Sequence, residues 1–138
     1  MKRLSIATCL IFAAGVFFMT VPVDAQTPSA EKKTVVFACN MKAMTPAQRK
    51  RHSEVLSPAL VTAKRQSSEI SNGYAFQFPS DAKTFATVSE WIGNERLCCP
   101  FFEFDVHVGD STEPLRLQIT GPDGVKQFIR AELPGLVG

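Results

Sequence analysis

Three segments of this chain alternate apolar and polar side chains with a period of two, which restricts it to folds built on a half-buried sheet. Tyr74, Phe76 and Phe78 alternate with Ala75 and Gln77. Phe102, Phe104, Val106 and Val108 alternate with Glu103, Asp105 and His107, and Leu115, Leu117 and Ile119 with Arg116 and Gln118. Strands with one apolar and one polar face fit a mainly antiparallel sheet covered on one side. The last two are expected to pair as a hairpin. An apolar, β-branched run at residues 34–39 predicts a further strand, with Val35, Phe37 and Cys39 on one face, Val36 and Ala38 on the other, and both faces sheltered.

Helices are expected between these strands. Thr45-Pro46-Ala47-Gln48 reads as a helix start, because threonine caps, proline suits the first turn and glutamine three residues on completes a capping box. This helix is predicted to run to about Gln66, to bury Val55, Leu56, Ala59, Leu60 and Ala63, and to bend at Pro58, which has no N–H to donate. Asn72-Gly73 marks the following turn. Ser80-Asp81 opens a second helix with Phe85, Val88 and Ile92 on its apolar stripe; it should stop at Cys99, which Pro100 pushes out of the helical region. Gly121-Pro122-Asp123-Gly124 turns into a short final helix that buries Val125, Phe128, Ile129 and Leu133. The predicted order is β-α-β-α-β-β-α. It implies an α+β two-layer sandwich, with a mainly antiparallel four-stranded sheet and helices on one face.

The chain's 138 residues are expected to divide into a signal peptide (1–25), a flexible leader (26–33) and a single α+β domain (34–138). Lys2 and Arg3 precede an almost uncharged run at 6–21, and Val23-Asp24-Ala25 offers small residues for cleavage. The run ends at Pro22 and Asp24, short of the roughly 20 residues that span a bilayer, so no stable membrane anchor is expected after cleavage. Cys9 lies inside the apolar run rather than after it, which argues against lipid attachment. The expected destination is periplasmic or secreted. Losing Lys2, Arg3 and Asp24 brings the formal charge of +2 close to neutral, and without a basic excess no nucleic-acid partner is expected.

The remaining cysteines, Cys39, Cys98 and Cys99, are odd in number in a compartment that oxidises unpaired thiols. Cys39 shares a predicted strand face with Phe37. Cys99 follows Ile92 by two helical turns, so both can point into one seam between sheet and helix. Met41 and Met44 add soft thioethers beside Cys39. Cys98 and Cys99 sit at the partly negative end of their helix, which favours a bound cation over an activated redox thiol. Arg96, near Cys99, could offset this, while Glu95 opposes thiolate formation unless a metal is present. Free cysteines also pack as small hydrophobes, and one Cys39 disulfide to Cys98 or Cys99 would staple strand to helix. Glu103, Asp105 and His107 read as a solvated strand face, and His52, within Gln-Arg-Lys-Arg-His, as exposed. No Cys-x-x-Cys, paired-histidine zinc motif, phosphate-cradling glycine loop or nucleophile elbow is present.

At Phe-Ala-Cys-Asn-Met (37–41), Glu-Arg-Leu-Cys-Cys-Pro-Phe-Phe (95–102) and Leu-Gln-Ile-Thr-Gly-Pro-Asp-Gly-Val-Lys-Gln-Phe-Ile-Arg (117–130), the chain resembles a family of uncharacterised small bacterial proteins across residues 34–133. Its Glu-Arg-x-Cys-Cys segment is similar to one in some regulators related to the mercury-responsive family. That similarity implies a thiophilic ion held by Cys39, Cys98 and Cys99, with Glu95 and Arg96 as neighbours. The export signal and Pro58 depart from that pattern and from a cytoplasmic role. The resulting expectation is an exported small protein that binds a soft metal ion, Cu(I), Zn(II) or Hg(II), through three cysteines, with Met41 or Met44 as optional fourth ligand. It would sequester the ion or transfer it to a thiol partner protein rather than catalyse. The rivals are a thiol-disulfide redox protein using the Cys98-Cys99 pair and a disulfide-stapled interaction domain.

Overall fold

The computed structural model describes residues 36–138; the expected signal peptide, the leader, and Thr34 and Val35 of the first expected strand lie outside the described residues. The α+β fold holds a four-stranded antiparallel sheet in the order β1-β2-β4-β3, formed by β1 (Gln66–Ile70), β2 (Gly73–Phe78), β3 (Glu103–His107) and β4 (Leu115–Thr120). Central β2 and β4 follow the predicted alternation. Tyr74, Phe76, Phe78, Leu115, Leu117 and Ile119 are buried, while Arg116 and Gln118 are exposed. The expected β3-β4 hairpin forms, with Val106 opposite Leu117. Val106 is more open than a core-facing position implies, because β3 is an edge strand, and Val108, expected to continue the alternation, lies exposed past the strand's end.

The fourth strand is not the one expected. Residues 36–40 make no strand pairing and Val36 is 81% exposed, so the sheltered two-faced strand at 34–39 is not found; only Phe37 and Cys39 turn inward. The strand is β1, in a stretch read as helix end and turn. Its Gln-Ser-Ser-Glu-Ile sequence carries almost no apolar signal, since an edge strand buries little. Hairpin closure through Ser71-Asn72 places it, and the Ser67 hydroxyl secures it by donating to the Val137 carbonyl at 2.9 Å. Gly73 opens β2 where a Cβ would overlap the Ile119 carbonyl oxygen. Gly73→Ala should therefore destabilise the fold by about 2–3 kcal/mol, read as a lower urea midpoint at unchanged slope.

The first helix begins as predicted. Gln48 N–H donates to Thr45 Oγ1 (3.2 Å) and Thr45 N–H to Gln48 Oε1 (2.9 Å), the capping box of α1 (Pro46–Arg51). The expected disturbance at Pro58 takes the form of a π turn at His52–Leu56 just before it, in which Ser57 N–H reaches back to the His52 carbonyl. The helix then resumes as α2 (Ser57–Ala63) and stops short of Gln66. Its buried stripe is His52, Leu56 and Leu60, four residues apart, whereas Val55 and Ala59 face solvent. His52 is thus 5% exposed, contrary to its expected surface position: four-residue spacing from two buried leucines outweighs its charged neighbours.

Helix α3 (Ala82–Cys98) starts where Asp81 accepts from Thr84 N–H at 2.9 Å. Its inner face is Thr84, Val88, Trp91, Glu95 and Cys98. Phe85, expected inside, is 45% exposed, because fully buried Trp91 sets the phase of the helix and polar groups share its side. Trp91 donates to Ser57 Oγ at 3.1 Å and meets Phe104 edge-on, locking α3 to both the first helix and the sheet. Helix α4 (Val125–Glu132) buries Val125 and Ile129, as predicted, and is followed by the short α5 (Pro134–Val137).

Candidate metal centre

Two distant segments meet at the carboxyl end of α3. Cys98 is its last residue and Cys99 its cap, with φ −123° and ψ 70°, so the backbone leaves the helix between the two thiols. Cys99 N–H still bonds to the Glu95 carbonyl (2.7 Å), and Phe102 N–H to the Cys99 carbonyl (3.0 Å), which closes a turn around Pro100. Cys39 arrives on the unpaired segment before α1. Asn40 N–H donates to the Cys98 carbonyl at 2.8 Å, and Phe37 is wedged against Phe101 and Phe128 with ring centroids 5.0 and 5.7 Å away. Backbone pairing to the helix end therefore brings Cys39 to Cys98 without a sheet.

The Sγ atoms of Cys39, Cys98 and Cys99 all lie within 4.8 Å of one another, and those of Cys98 and Cys99 are 3.7 Å apart. All three are free thiols; Cys98 and Cys99 are buried and Cys39 is half-buried. Sulfurs around a tetrahedral ion with bonds of about 2.3 Å stand about 3.8 Å apart, so the three can ligate one ion after a small adjustment. Burial pushes the Cys39 thiol up to about 11; a hydrogen bond with Cys99 partly offsets this, and negative charge at Cys98, Glu95 and Glu132 adds to it. Cys99 is also raised, first by its hydrogen bond with Cys98, then by burial and by Cys39. Without a cation these two thiols keep their protons.

Two further groups belong here. Glu95 is 4% exposed, with Oε2 3.4 Å from Cys98 Sγ and Oε1 3.0 Å from His52 Nε2. The His52 ring stacks on Trp91 at 5.8 Å and 18°, and its Nδ1 has no hydrogen-bond partner. The sequence marks Glu95 as a neighbour of the cysteines, but His52 is hidden by the basic residues before it. Its spacing from Leu56 and Leu60 is the signal that could have placed it inside. Arg96 is exposed.

Cys39, Met41, His52, Glu95, Cys98 and Glu132 line a cleft of about 290 Å³, and no lysine or arginine lines it. Met41 thus stands beside the thiols, while Met44 is 3% exposed within the core cluster. Glu103, Asp105 and His107 are exposed, with His107 beside Glu113 at 3.5 Å, as befits a solvated face. A larger groove of about 450 Å³, lined by Pro58, Leu60, Asp81 and Thr84 among others, contains neither thiol nor imidazole. Its residues offer no comparable chemistry. Among the described residues no helix is long and apolar enough to cross a membrane. No protein-family model, curated protein or solved structure matches the chain, so the three-thiol cluster, a possible metal site, is read from its own geometry.

Proposed function

We propose that this protein is an exported carrier or scavenger of a soft, thiophilic metal ion, held by Cys39, Cys98 and Cys99 on a two-layer sandwich whose helices cover one face of the sheet. The carrying observation is the convergence of three free sulfurs within 4.8 Å from two separate segments. The cleft electrostatics favour the same ligand class. Glu95 and Glu132 line it without any lysine or arginine, and the carboxyl end of α3 adds partial negative charge, so cations are drawn in and oxyanions repelled. Half-buried Cys39 is the sulfur a partner thiol can reach, which makes ion transfer by ligand exchange possible. The uncharged run at 6–21 supports export to the periplasm or beyond.

A redox role for Cys98 and Cys99 draws on their 3.7 Å sulfur separation. The ion reading accounts for more, because it uses Cys39 and gives the raised Cys39 and Cys99 thiols a cation to ionise against. Native mass spectrometry of the exported protein, purified without chelator or reductant, tests the proposal. The expected result is an added ion mass, and three alkylatable thiols after denaturation. A chain two hydrogens lighter, with no metal and one alkylatable thiol, would replace the ion site by a disulfide.

A further inference from the structure

We infer that Glu95 is the fourth ligand of the site, held for that role by His52, and that the three-cysteine, one-carboxylate set takes a four-coordinate divalent ion of the Zn(II) or Cd(II) class. The inference rests on the three-cysteine reading and extends it to the ion's charge and coordination.

Glu95 lies one helical turn before Cys98 on the inner face of α3, so both side chains project to the same spot. In a tetrahedral site with M–S of about 2.3 Å and M–O of about 2.0 Å, a sulfur and an oxygen ligand stand about 3.5 Å apart. Glu95 Oε2 is 3.4 Å from Cys98 Sγ. Among the described residues only the three sulfurs form a mutually close group, so ligation by Glu95 requires its carboxyl end to swing further towards Cys39 and Cys99. Its other oxygen is already committed: Oε1 meets His52 Nε2 at 3.0 Å, and Trp91 clamps the imidazole from its face. A ligating carboxylate oriented by a hydrogen-bonded partner is the usual outer-shell arrangement of a metal site.

Charge gives the second argument. A carboxylate 4% exposed is costly to bury, and among the described residues only His52 and Cys98 meet the Glu95 side-chain oxygens. Loading the site adds three thiolates beside it. A divalent ion cancels two of the four negative charges and a monovalent ion only one, so the buried carboxylate favours the divalent class. The methionines relieve none of this, since thioethers are neutral, and Met44 is packed in the core.

The test is Co(II) and Cu(I) titration of the wild-type protein and Glu95→Gln. Wild type should show thiolate-to-Co(II) charge transfer together with the intense visible bands of a tetrahedral ion. In Glu95→Gln the charge transfer should persist, the visible bands should shift, and Co(II) affinity should fall at least about tenfold. Cu(I), satisfied by sulfur alone, should bind within about threefold of wild type. Unchanged Co(II) affinity and bands, or an equal loss for both ions, would overturn the role of Glu95 and leave the three-cysteine site standing. Absence of thiolate charge transfer with either ion in wild type would remove the three-cysteine reading itself. Should the variant not fold, X-ray absorption of the Zn(II)-loaded wild type decides: three sulfurs at about 2.3 Å, one oxygen at about 2.0 Å and the carboxyl carbon beyond that oxygen support Glu95, whereas an all-sulfur shell, or an oxygen without that carbon, rejects it.

Discussion

Raising the pH from about 6 to about 8 is expected to increase the apparent affinity for a thiophilic ion at least ~10,000-fold. The Cys39 thiol is held at about 11, chiefly by burial, and Cys99 is raised by its hydrogen bond with Cys98 and by burial. Both are protonated throughout that window, and each must release one proton to ligate. Each such proton makes affinity rise about tenfold per pH unit, and two of them act over two units. The sign follows from ligation consuming the deprotonated form. Stability of the ion-free protein runs the other way. For a thiol whose folded pKa lies above its unfolded value, the stabilisation is present below about 9 and is lost as pH rises towards the folded value of about 11. Competition against a chromophoric chelator, corrected for the chelator's own protonation, measures the dependence. A slope well below one proton per ion would mean that neither raised thiol ligates.

The sequence patterns that proved reliable are those generated by strong, local causes. Strands β2 and β4 lie in the middle of the sheet, with one face fully buried, so their period-two alternation maps directly onto burial. The Thr45 and Asp81 helix starts were legible because capping needs particular side chains at fixed offsets. Strand β1 was not legible: at the edge, its Gln-Ser-Ser-Glu run is placed by the hairpin and by α5 rather than by its own apolarity. Residues 36–39 misled for the converse reason. Phe37 and Cys39 dock inward at alternate positions, which mimics a strand that never pairs.

The face of α3 was legible at buried Val88 and at Ile92, which packs on the core, but not at Phe85, which lies out while Thr84 and Glu95 lie inside, because helix periodicity weighs apolar residues only. Of the buried polar pair, Thr84 is held by Asp81 at the start of the helix, and Glu95 falls at the candidate site. Local consistency fails where buried polar groups serve a function, and Glu95 with His52 is where this chain breaks the rule. Convergence of the sulfurs was readable as shared faces. The hydrogen bond that realises it, Asn40 to Cys98, joins backbone atoms and leaves no trace in side-chain pattern.

Cys39→Ser is expected to weaken ion binding by about 100- to 1000-fold while leaving the fold nearly as stable as before. Zinc sites with four ligands bind with roughly 10–16 kcal/mol, so one thiolate among three or four ligands carries about 3–4 kcal/mol of affinity. Serine keeps the size of cysteine, but its hydroxyl ionises far above the working pH and is a poor soft-metal ligand. Cys39 lies half-buried on a segment anchored by Phe37 and by the Asn40 backbone, so replacing its sulfur opens no cavity and breaks neither anchor. The same variant separates the rival readings. A redox protein using Cys98 and Cys99 would retain thiol exchange between them, and a disulfide-stapled domain would chiefly lose stability. Ion titration and urea unfolding on one preparation therefore give three distinct patterns. An unchanged ion affinity in Cys39→Ser would mean that the meeting of the three sulfurs is packing rather than a binding site.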